Sequence, residues 1–206
     1  MLFPNRRYAD IGSFKSDYFK EIDKAAAAID SQLLAQAAEL LAAVIDGRRW
    51  IYVCGNGGSA AISNHLFCDF VKGIQTGTDR RPRVVSLSAQ LEIITAIGND
   101  IGYEDIFAYQ LRTLAAPGDL LISISSSGDS ENIVRAVQWA KDSGMATIAL
   151  TGFEGGRSAA LADVNIHVPA NNYGVIEDMH QSLMHILAQF LRQQLMRPDT
   201  FGSCKF

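Results

Sequence analysis

The hydrophobic positions divide this chain into two parts with different periods. From Ser13 to Asp46, apolar residues recur at steps of three and four, which predicts amphipathic helices that break at Asp30 and Ser31. From Trp50 onward, short apolar runs alternate with segments of helix length. We expect strands at 50–54, 83–88, 119–125, 146–151 and 164–168, and helices near 58–72, 89–97, 104–115, 129–143, 157–162 and 174–195.

Strands separated by helices imply parallel pairing, because a crossover of helix length joins parallel neighbours. The predicted fold class is therefore α/β, a three-layer αβα sandwich with a five-stranded parallel sheet. We expect one domain over residues 1–206, with an N-terminal helical arm at about 10–46, a sheet core at about 48–170 and a C-terminal helix at about 174–195. Since the arm precedes the first strand, we expect a neighbouring subunit to cover its apolar face.

The composition of the chain indicates which class of ligand it binds and in which cellular compartment it is expected. With 206 residues and 48% hydrophobic content, the chain can bury one full core. Its formal net charge of -4 and the lack of a basic stripe argue against binding to nucleic acid or to an anionic membrane. Cys54, Cys68 and Cys204 show neither metal nor disulfide spacing, and we find no signal-peptide pattern or run of transmembrane length. We therefore expect a cytoplasmic protein with a small-molecule ligand.

Two strand-turn-helix units carry the most distinctive local pattern. The first loop, residues 55–59, reads Gly-Asn-Gly-Gly-Ser, and the second loop, residues 125–130, reads Ser-Ser-Ser-Gly-Asp-Ser. At the carboxyl edge of a parallel sheet, helix amides and hydroxyls in such loops can hold a phosphate. The first loop lacks the lysine of a nucleotide-binding loop and the third glycine of a dinucleotide fingerprint. Ser and Gly also cap helices and permit turns, so a purely structural role for each loop stays open.

Titratable residues in two predicted helices supply candidates for chemistry. His65 and Asp69 are one helical turn apart, and Glu177 and His185 are about two turns apart, so each pair lies near one face. Two histidines and two carboxylates form a plausible ligand set for zinc or another divalent ion. Each histidine also has apolar neighbours and can equally be a packing residue. His180 lies on a different face, and we expect it to be structural.

Five segments occur in this order along the chain: Gly55–Ser59, Ile97–Asp100, Ser125–Ser130, Leu150–Gly152 and the helix from Glu177 to His185. Together they resemble the sugar isomerase (SIS) domain, and within it the phosphoheptose isomerase branch. The resemblance covers roughly residues 10–195 and implies a flavodoxin-like fold. It also implies an aldose-ketose isomerase that is commonly a homotetramer with active sites between subunits.

The resemblance implies roles for individual residues. Asp69 and His185 would be catalytic, as base and proton shuttle. Zinc would bind at His65, Asp69, Glu177 and His185, and substrate would contact Asn56, Gly57, Ser59, Asp100, Ser125, Ser126, Ser127, Ser130 and Glu177. For Asp100, turn capping is an equal explanation.

This chain departs from the family pattern in three respects, two of them at these positions. Asp69 replaces the usual Glu, which shortens the reach of the base, and Glu177 replaces the usual Gln, whose added charge favours a metal ion. An arginine that the family places shortly after the acidic residue has no counterpart, and Lys72 is the cation in that stretch.

The resemblance predicts interconversion of sedoheptulose 7-phosphate and D-glycero-D-manno-heptose 7-phosphate, which feeds heptose synthesis for a bacterial surface glycan. One alternative is a non-catalytic module that binds a sugar phosphate or a replication-initiator protein. That module would not need both histidines and both carboxylates. Another alternative is an isomerase of a different phosphosugar, because Asp69 and Glu177 depart from the family pattern.

Overall fold

The sheet has the predicted strands in a parallel arrangement. In the computed structural model, which describes residues 3–201 and 205, five parallel strands pair in the order β2-β1-β3-β4-β5. They are β1 (Trp50–Gly55), β2 (Arg83–Ser86), β3 (Leu120–Ser125), β4 (Ala146–Thr151) and β5 (Val164–His167). Every strand begins and ends within two residues of its predicted position.

The helices also follow the prediction, with two exceptions: one after the first loop, and one near 104–115, where a 3-10 helix (Tyr103–Asp105) precedes a shorter α-helix. They are α1 (Ile11–Ala27), α2 (Ser31–Asp46), α3 (Gly58–Cys68), α4 (Leu91–Asp100), α5 (Ala108–Leu114), α6 (Glu131–Asp142), α7 (Gly156–Leu161) and α8 (Tyr173–Leu195). Asp30 caps α2 by accepting from the backbone of Gln32, which confirms the predicted break. A single helix was predicted to residue 72, but α3 changes at Asp69 into a π-helix that ends at Ile74.

Alternate residues of each strand face two different helical layers. Ile51 and Val53 of β1 pack with α2, α3 and α8, whereas Tyr52 and Cys54 pack with the layer of α4, α5, α6 and α7. All four side chains are buried. This arrangement confirms the three-layer αβα sandwich.

Within the N-terminal arm, α2 departs from the expectation that a neighbouring subunit covers its apolar face, whereas Ile11 and Phe19 of α1 are exposed. Ala37 and Leu41 of α2 are fully buried in the core cluster that includes the strands of the same chain. The helix α3 contacts β1, β2 and β3, so the part of that sheet face near β5 is left for α2 to cover. α1 packs against α8. The apolar face of α2 is therefore satisfied within one protomer.

The strand order brings the two loops together. Because the order reverses at β1 and β3, a crevice forms outside the carboxyl ends of these two neighbouring strands. The first loop follows β1 and the second loop follows β3, and Gly55 is in register with Ile124. The fold therefore places both loops at the position where open α/β sheets bind ligands.

Two further sequence expectations concern cysteines and membrane spans. Cys54 is buried, Cys68 is exposed, and both are free thiols, whereas Cys204 lies outside the described residues. Within residues 3–201, no single helix is both long and apolar enough to cross a membrane. Taken together, α1 and α2 would pass by length and composition, but they are bent by 71° at their break.

Candidate active site

Two histidines and one carboxylate meet where α3 lies beside α8. His65 Nε2 is 3.2 Å from His185 Nε2 and 3.4 Å from Asp69 Oδ1. The other carboxylate oxygen of Asp69 is 3.3 Å from His185 Nε2. We call His65, Asp69 and His185 the triad. It is partly open to solvent, so a ligand can reach it.

Helix geometry explains how the triad assembles. His65 lies in the last turn of α3 and Asp69 begins the π-helix, so these two side chains stay on one face. A π-helix adds a residue to a turn and re-aims the side chains around it, and such segments are frequent at functional sites. The long helix α8 supplies His185, while its neighbours Leu183 and Met184 are buried in the core.

The spacing of the triad suits a metal ion. Ligand atoms held at about 2.0–2.1 Å by a tetrahedral zinc ion lie about 3.3 Å apart. The two Nε2 atoms lie 3.2 Å apart, close to this spacing, and each lies 3.3 or 3.4 Å from a different oxygen of the Asp69 carboxylate. One ligand atom from each residue lies within 4.8 Å of the other two. Imidazole nitrogen and carboxylate oxygen also form a donor set that zinc accepts. The triad is therefore compatible with a divalent ion that keeps a coordination position for a further ligand.

Glu177 lies outside the triad, which differs from the four-residue ligand set expected from the sequence. A Cβ added to Gly58 would lie 2.6 and 2.7 Å from the two carboxylate oxygens of Glu177, so this carboxylate covers the N-terminus of α3. Residues that share a helix face still differ in height, and eight residues separate Glu177 from His185 by about 12 Å along α8. At the α3 terminus, the positive end of the helix dipole favours a carboxylate.

The N-terminal arm supports the turn that carries Glu177. Tyr18 of α1 donates a hydrogen bond of 2.6 Å to Asp178, the next residue of α8. Burial, followed by this bond, raises the pKa of the Tyr18 phenol above its usual value. The phenol therefore remains a protonated donor at neutral pH.

The serines of the second loop divide into two pairs. Ser125 and Ser126 are buried, and the Ser125 hydroxyl accepts from the Gly128 N–H at 3.1 Å. Ser127 and Ser130 are partly exposed. Their hydroxyls are therefore the ones that a ligand in the crevice can reach, whereas the buried pair supports the turn.

The first loop is tied to the second unit by amide hydrogen bonds. Asn56 and Asn132 exchange two side-chain hydrogen bonds of 2.9 and 3.0 Å, and Tyr103 donates to Asn56 Oδ1 at 3.0 Å. Gly57 is exposed and adopts a φ of +54°. Ser59 is only 4% exposed, so its hydroxyl is less accessible than the sequence-based phosphate contact requires.

The structure places Asp100 away from these interactions. It ends α4, is exposed, and accepts a hydrogen bond of 2.7 Å from the neighbouring Asn99. The adjacent segment does reach the first loop, through Tyr103 and Asn56. The observed contact of Asp100 is thus a local one.

His180 is buried and lies on another face of α8 than His185 of the triad. Its Nε2 donates to the carbonyl oxygen of Thr151 at 3.1 Å, and within the described residues its Nδ1 has no hydrogen-bond partner. Burial lowers the pKa of His180 to about 4. The residue is therefore neutral at physiological pH, in agreement with a structural role.

Sequence reasoning missed three residues that contact the candidate site: Gln181, Asn132 and Tyr103. The Gln181 amide nitrogen is 3.0 Å from His185 Nε2, and its spacing of four residues from His185 could have indicated this contact. Asn132 bonds to Asn56 across 76 residues of sequence. No local pattern predicts a bond of that kind.

The class of protein follows from the fold, the crevice and a family match. Residues 17–152 match the family model of the SIS domain. The chain has the parallel sheet and the loop-bordered crevice described above. It therefore belongs to the SIS-domain family.

Relatives within this family narrow the class. The chain is 38% identical over 162 residues to a phosphoheptose isomerase of Aliarcobacter butzleri, with 79% of this chain and 85% of the relative covered. It is 36% identical over 190 residues to a phosphoheptose isomerase of Shewanella sp. strain ANA-3, covering 91% and 95%. The solved phosphoheptose isomerase of Neisseria gonorrhoeae superposes with a TM-score of 0.81 at 32% identity, covering 89% of this chain and 97% of that one. These similarities place the chain in the phosphoheptose isomerase branch, a branch of aldose-ketose isomerases.

Proposed function

We propose that this protein interconverts sedoheptulose 7-phosphate and D-glycero-D-manno-heptose 7-phosphate. The observation that carries the proposal is the convergence of His65, Asp69 and His185 beside the crevice of the two loops. Relatives named phosphoheptose isomerase, 36% and 38% identical over most of the chain, support the same activity. A regulatory module without catalysis would not need the triad, so the enzyme is favoured over it.

In this proposal the second loop holds the phosphate. Ser127 and Ser130 offer accessible hydroxyls, and the amides at the start of α6 favour an anion. The triad lies about two helical turns, roughly 10 Å, from the N-terminus of α3 at the first loop, which borders the same crevice as the second loop. Binding at the phosphate end would then position the carbonyl end at the triad.

The isomerisation moves a proton between C1 and C2 and needs no redox partner. Starting from the ketose, Asp69 takes a proton from C1 to give an enediolate, and its return to C2 yields the aldose. His185 gives a proton to the oxygen on C2 and accepts the proton that leaves the oxygen on C1. A divalent ion held by the triad would polarise the carbonyl oxygen and so acidify the neighbouring C–H bond.

The proposal extends to the cofactor, the assembly and the setting. We assign zinc to His65, Asp69 and His185, and we assign Glu177 to substrate hydroxyls at the first loop. An apolar groove between α2 and α8, lined by Ala42 and Phe190, offers surface for a homotetramer. The product would feed heptose synthesis for lipopolysaccharide in the cytoplasm.

Product identification tests the proposal directly. The protein is incubated with sedoheptulose 7-phosphate, once with zinc and once after chelation, and the aldose phosphate is identified by NMR. We expect product with zinc, and no product from the zinc-loaded protein would contradict the proposal.

The role of Asp69 has its own variant and control. Asp69→Asn is expected to lower kcat by about a thousandfold and to keep substrate binding, because it removes the base and preserves the side-chain shape. Asp142→Asn on the outer surface of α6 is the control and should behave as wild type. Unchanged turnover by Asp69→Asn would exclude Asp69 as the base.

A further inference from the structure

The second loop rests on a segment to which the proposed reaction assigns no role. This backing segment, residues 152–158, leads from β4 into α7. The Gly152 N–H donates to the Ser126 carbonyl at 2.9 Å, and the Ser158 N–H donates to the Gly128 carbonyl at 2.9 Å. Two carbonyls of the second loop are thus held from behind.

The two backbones pack without a layer of side chains between them. A Cβ added to Gly128 would overlap the Gly155 carbonyl oxygen, and one added to Gly156 would lie 2.5 Å from the Ser127 carbonyl oxygen. All three glycines have positive φ values. Glycine is therefore required on both sides of this contact.

Arg157 is the cationic side chain of the backing segment, and it holds a third carbonyl of the loop. Its guanidinium donates to the Asp129 carbonyl at 2.9 Å, to the Asp129 carboxylate at 2.5 Å and to the Glu131 carboxylate at 2.9 Å. One planar group thereby fixes both the backbone and the side chain of Asp129.

Peptide geometry links these bonds to the crevice. In a trans peptide, the carbonyl of one residue and the N–H of the next point in opposite directions. Since the carbonyls of Ser126, Gly128 and Asp129 point to the backing segment, the N–H groups that follow them, on Ser127, Asp129 and Ser130, point away from it. The Gly128 N–H between them donates to Ser125 instead, and the Asp129 N–H donates to the Ser127 hydroxyl at 3.3 Å. Loop amides that share a direction can bind an anion, and Ser127 and Ser130 supply two of them.

The charge of Arg157 is already matched by its neighbours. Arg157, Arg135 and Arg112 alternate with Asp129, Glu131 and Asp105 in one surface network of ion pairs. The hydrogen bond from Arg157 lowers the pKa of Asp129, so this partner is ionised at neutral pH. A general attraction of the ligand by this cluster is therefore small, and the geometry of the loop is what Arg157 affects.

We propose that Arg157 is a positioning residue, which aligns the amides of the second loop for the phosphate without touching it. This proposal depends on the proposed function in one respect only: it takes the bound phosphate to be part of a sugar phosphate. Binding of inorganic phosphate tests the loop itself, whatever the reaction is.

The experiment compares three variants of the full chain by calorimetric titration with inorganic phosphate. Arg157→Ala should weaken phosphate binding about tenfold, and Arg157→Lys, which keeps one donor group, should fall between it and wild type. Arg135→Ala is the matched control, because Arg135 is similarly exposed and belongs to the same ion-pair network through Glu131, but makes no hydrogen bond to the loop backbone. It should bind phosphate as wild type does.

Kinetics with sedoheptulose 7-phosphate separate positioning from general damage. Arg157→Ala should raise KM about tenfold and leave kcat within about threefold, with an unchanged melting temperature. Wild-type phosphate affinity in Arg157→Ala, or equal weakening in Arg135→Ala, would overturn the proposal, and so would a wild-type protein that binds no phosphate. If phosphate binds as expected and no sugar phosphate is isomerised, the proposed function fails and the positioning role stands.

Discussion

The first and second loops have similar sequences and equivalent places at neighbouring strands, yet the structure gives them different surroundings. A carboxylate of this same chain, from Glu177, covers the helix terminus at the first loop. The second loop is held from behind by residues 152–158 and keeps Ser127 and Ser130 accessible. The comparison shows that a glycine- and serine-rich turn is only a potential anion site. In the proposed function, distant residues decide which of the two turns receives the phosphate.

The largest expected effect comes from a glycine in each loop. Gly128→Ala should lower kcat/KM by about a hundredfold or more, because the added methyl overlaps the Gly155 carbonyl and the residue has a φ of +63°. Gly57→Ala in the first loop is strained at a φ of +54° but meets no atom within 4 Å, so its loss should be about tenfold. Kinetics and thermal melts of both variants check the difference, and equal losses would remove the steric distinction between the loops.

The stability of the folded protein should depend on pH through His180, which bonds to the end of β4 near the second loop. The carbonyl of Thr151, which precedes the backing segment, accepts from buried His180, and burial lowers the pKa of His180 to about 4. The unfolded chain binds this proton near pH 6.5 and the folded chain does not. Stability is therefore complete above pH 6.5 and is lost as the pH falls toward 4, by roughly 2 kcal/mol between pH 7 and pH 5.

Chemical unfolding of wild type and of His180→Gln at both pH values measures this term. The variant keeps a donor for the Thr151 carbonyl and has no proton to bind, so its stability should depend less on pH. His167, whose pKa burial also lowers, contributes with the same sign in both proteins. An identical pH dependence in the two proteins would exclude His180 as the source.

The accessible hydroxyls give the next largest effect. Ser127→Ala should raise KM for sedoheptulose 7-phosphate about tenfold, since one hydrogen bond to a charged group is lost. Ser59→Ala in the first loop, where the hydroxyl is buried, should change KM by less than about twofold. A larger effect at Ser59 than at Ser127 would reverse the assignment of the phosphate to the second loop.

The smallest effect is expected for Glu177→Gln, which should change the zinc content of the protein very little. Because its carboxylate covers α3 and lies outside the triad, Glu177→Gln should retain zinc within about twofold, whereas His65→Ala should lose most of it. The KM of Glu177→Gln should fall about threefold, because the variant removes a negative charge that repels the anionic substrate. Elemental analysis and kinetics test both statements. Loss of zinc from Glu177→Gln would return Glu177 to the ligand set.

Periodicity could predict much of the fold because its causes are local. The apolar strands, the break at Asp30 and the long helix α8 all follow from patterns within a few residues. The π-helix at Asp69 could not be predicted, since nothing in its residues distinguishes it from a continued α-helix. The burial of α2 also escaped prediction, because it depends on how much of the sheet α3 leaves uncovered.

The candidate site was predictable as a set of residues but only partly as an arrangement. Spacing identified His65 with Asp69 and put Glu177 near the face of His185, and the structure keeps the first pairing and separates the second. Helical spacing predicts which face of a helix a side chain occupies, but it is a weak guide to which neighbour that side chain meets along the helix axis. A side chain such as Glu177 can therefore belong to a different neighbour than its face suggests.

The sequence by itself determined the parallel α/β fold, the two loops and the histidine and carboxylate residues available for chemistry, because hydrophobic periodicity and turn residues act over short distances. Only the tertiary structure decided which of these residues meet. The contact of His65 with His185 spans 120 residues, and the bonds from Arg157 to Asp129 span 28. Such contacts depend on how helices pack across the sheet, and no local pattern of residues encodes that packing.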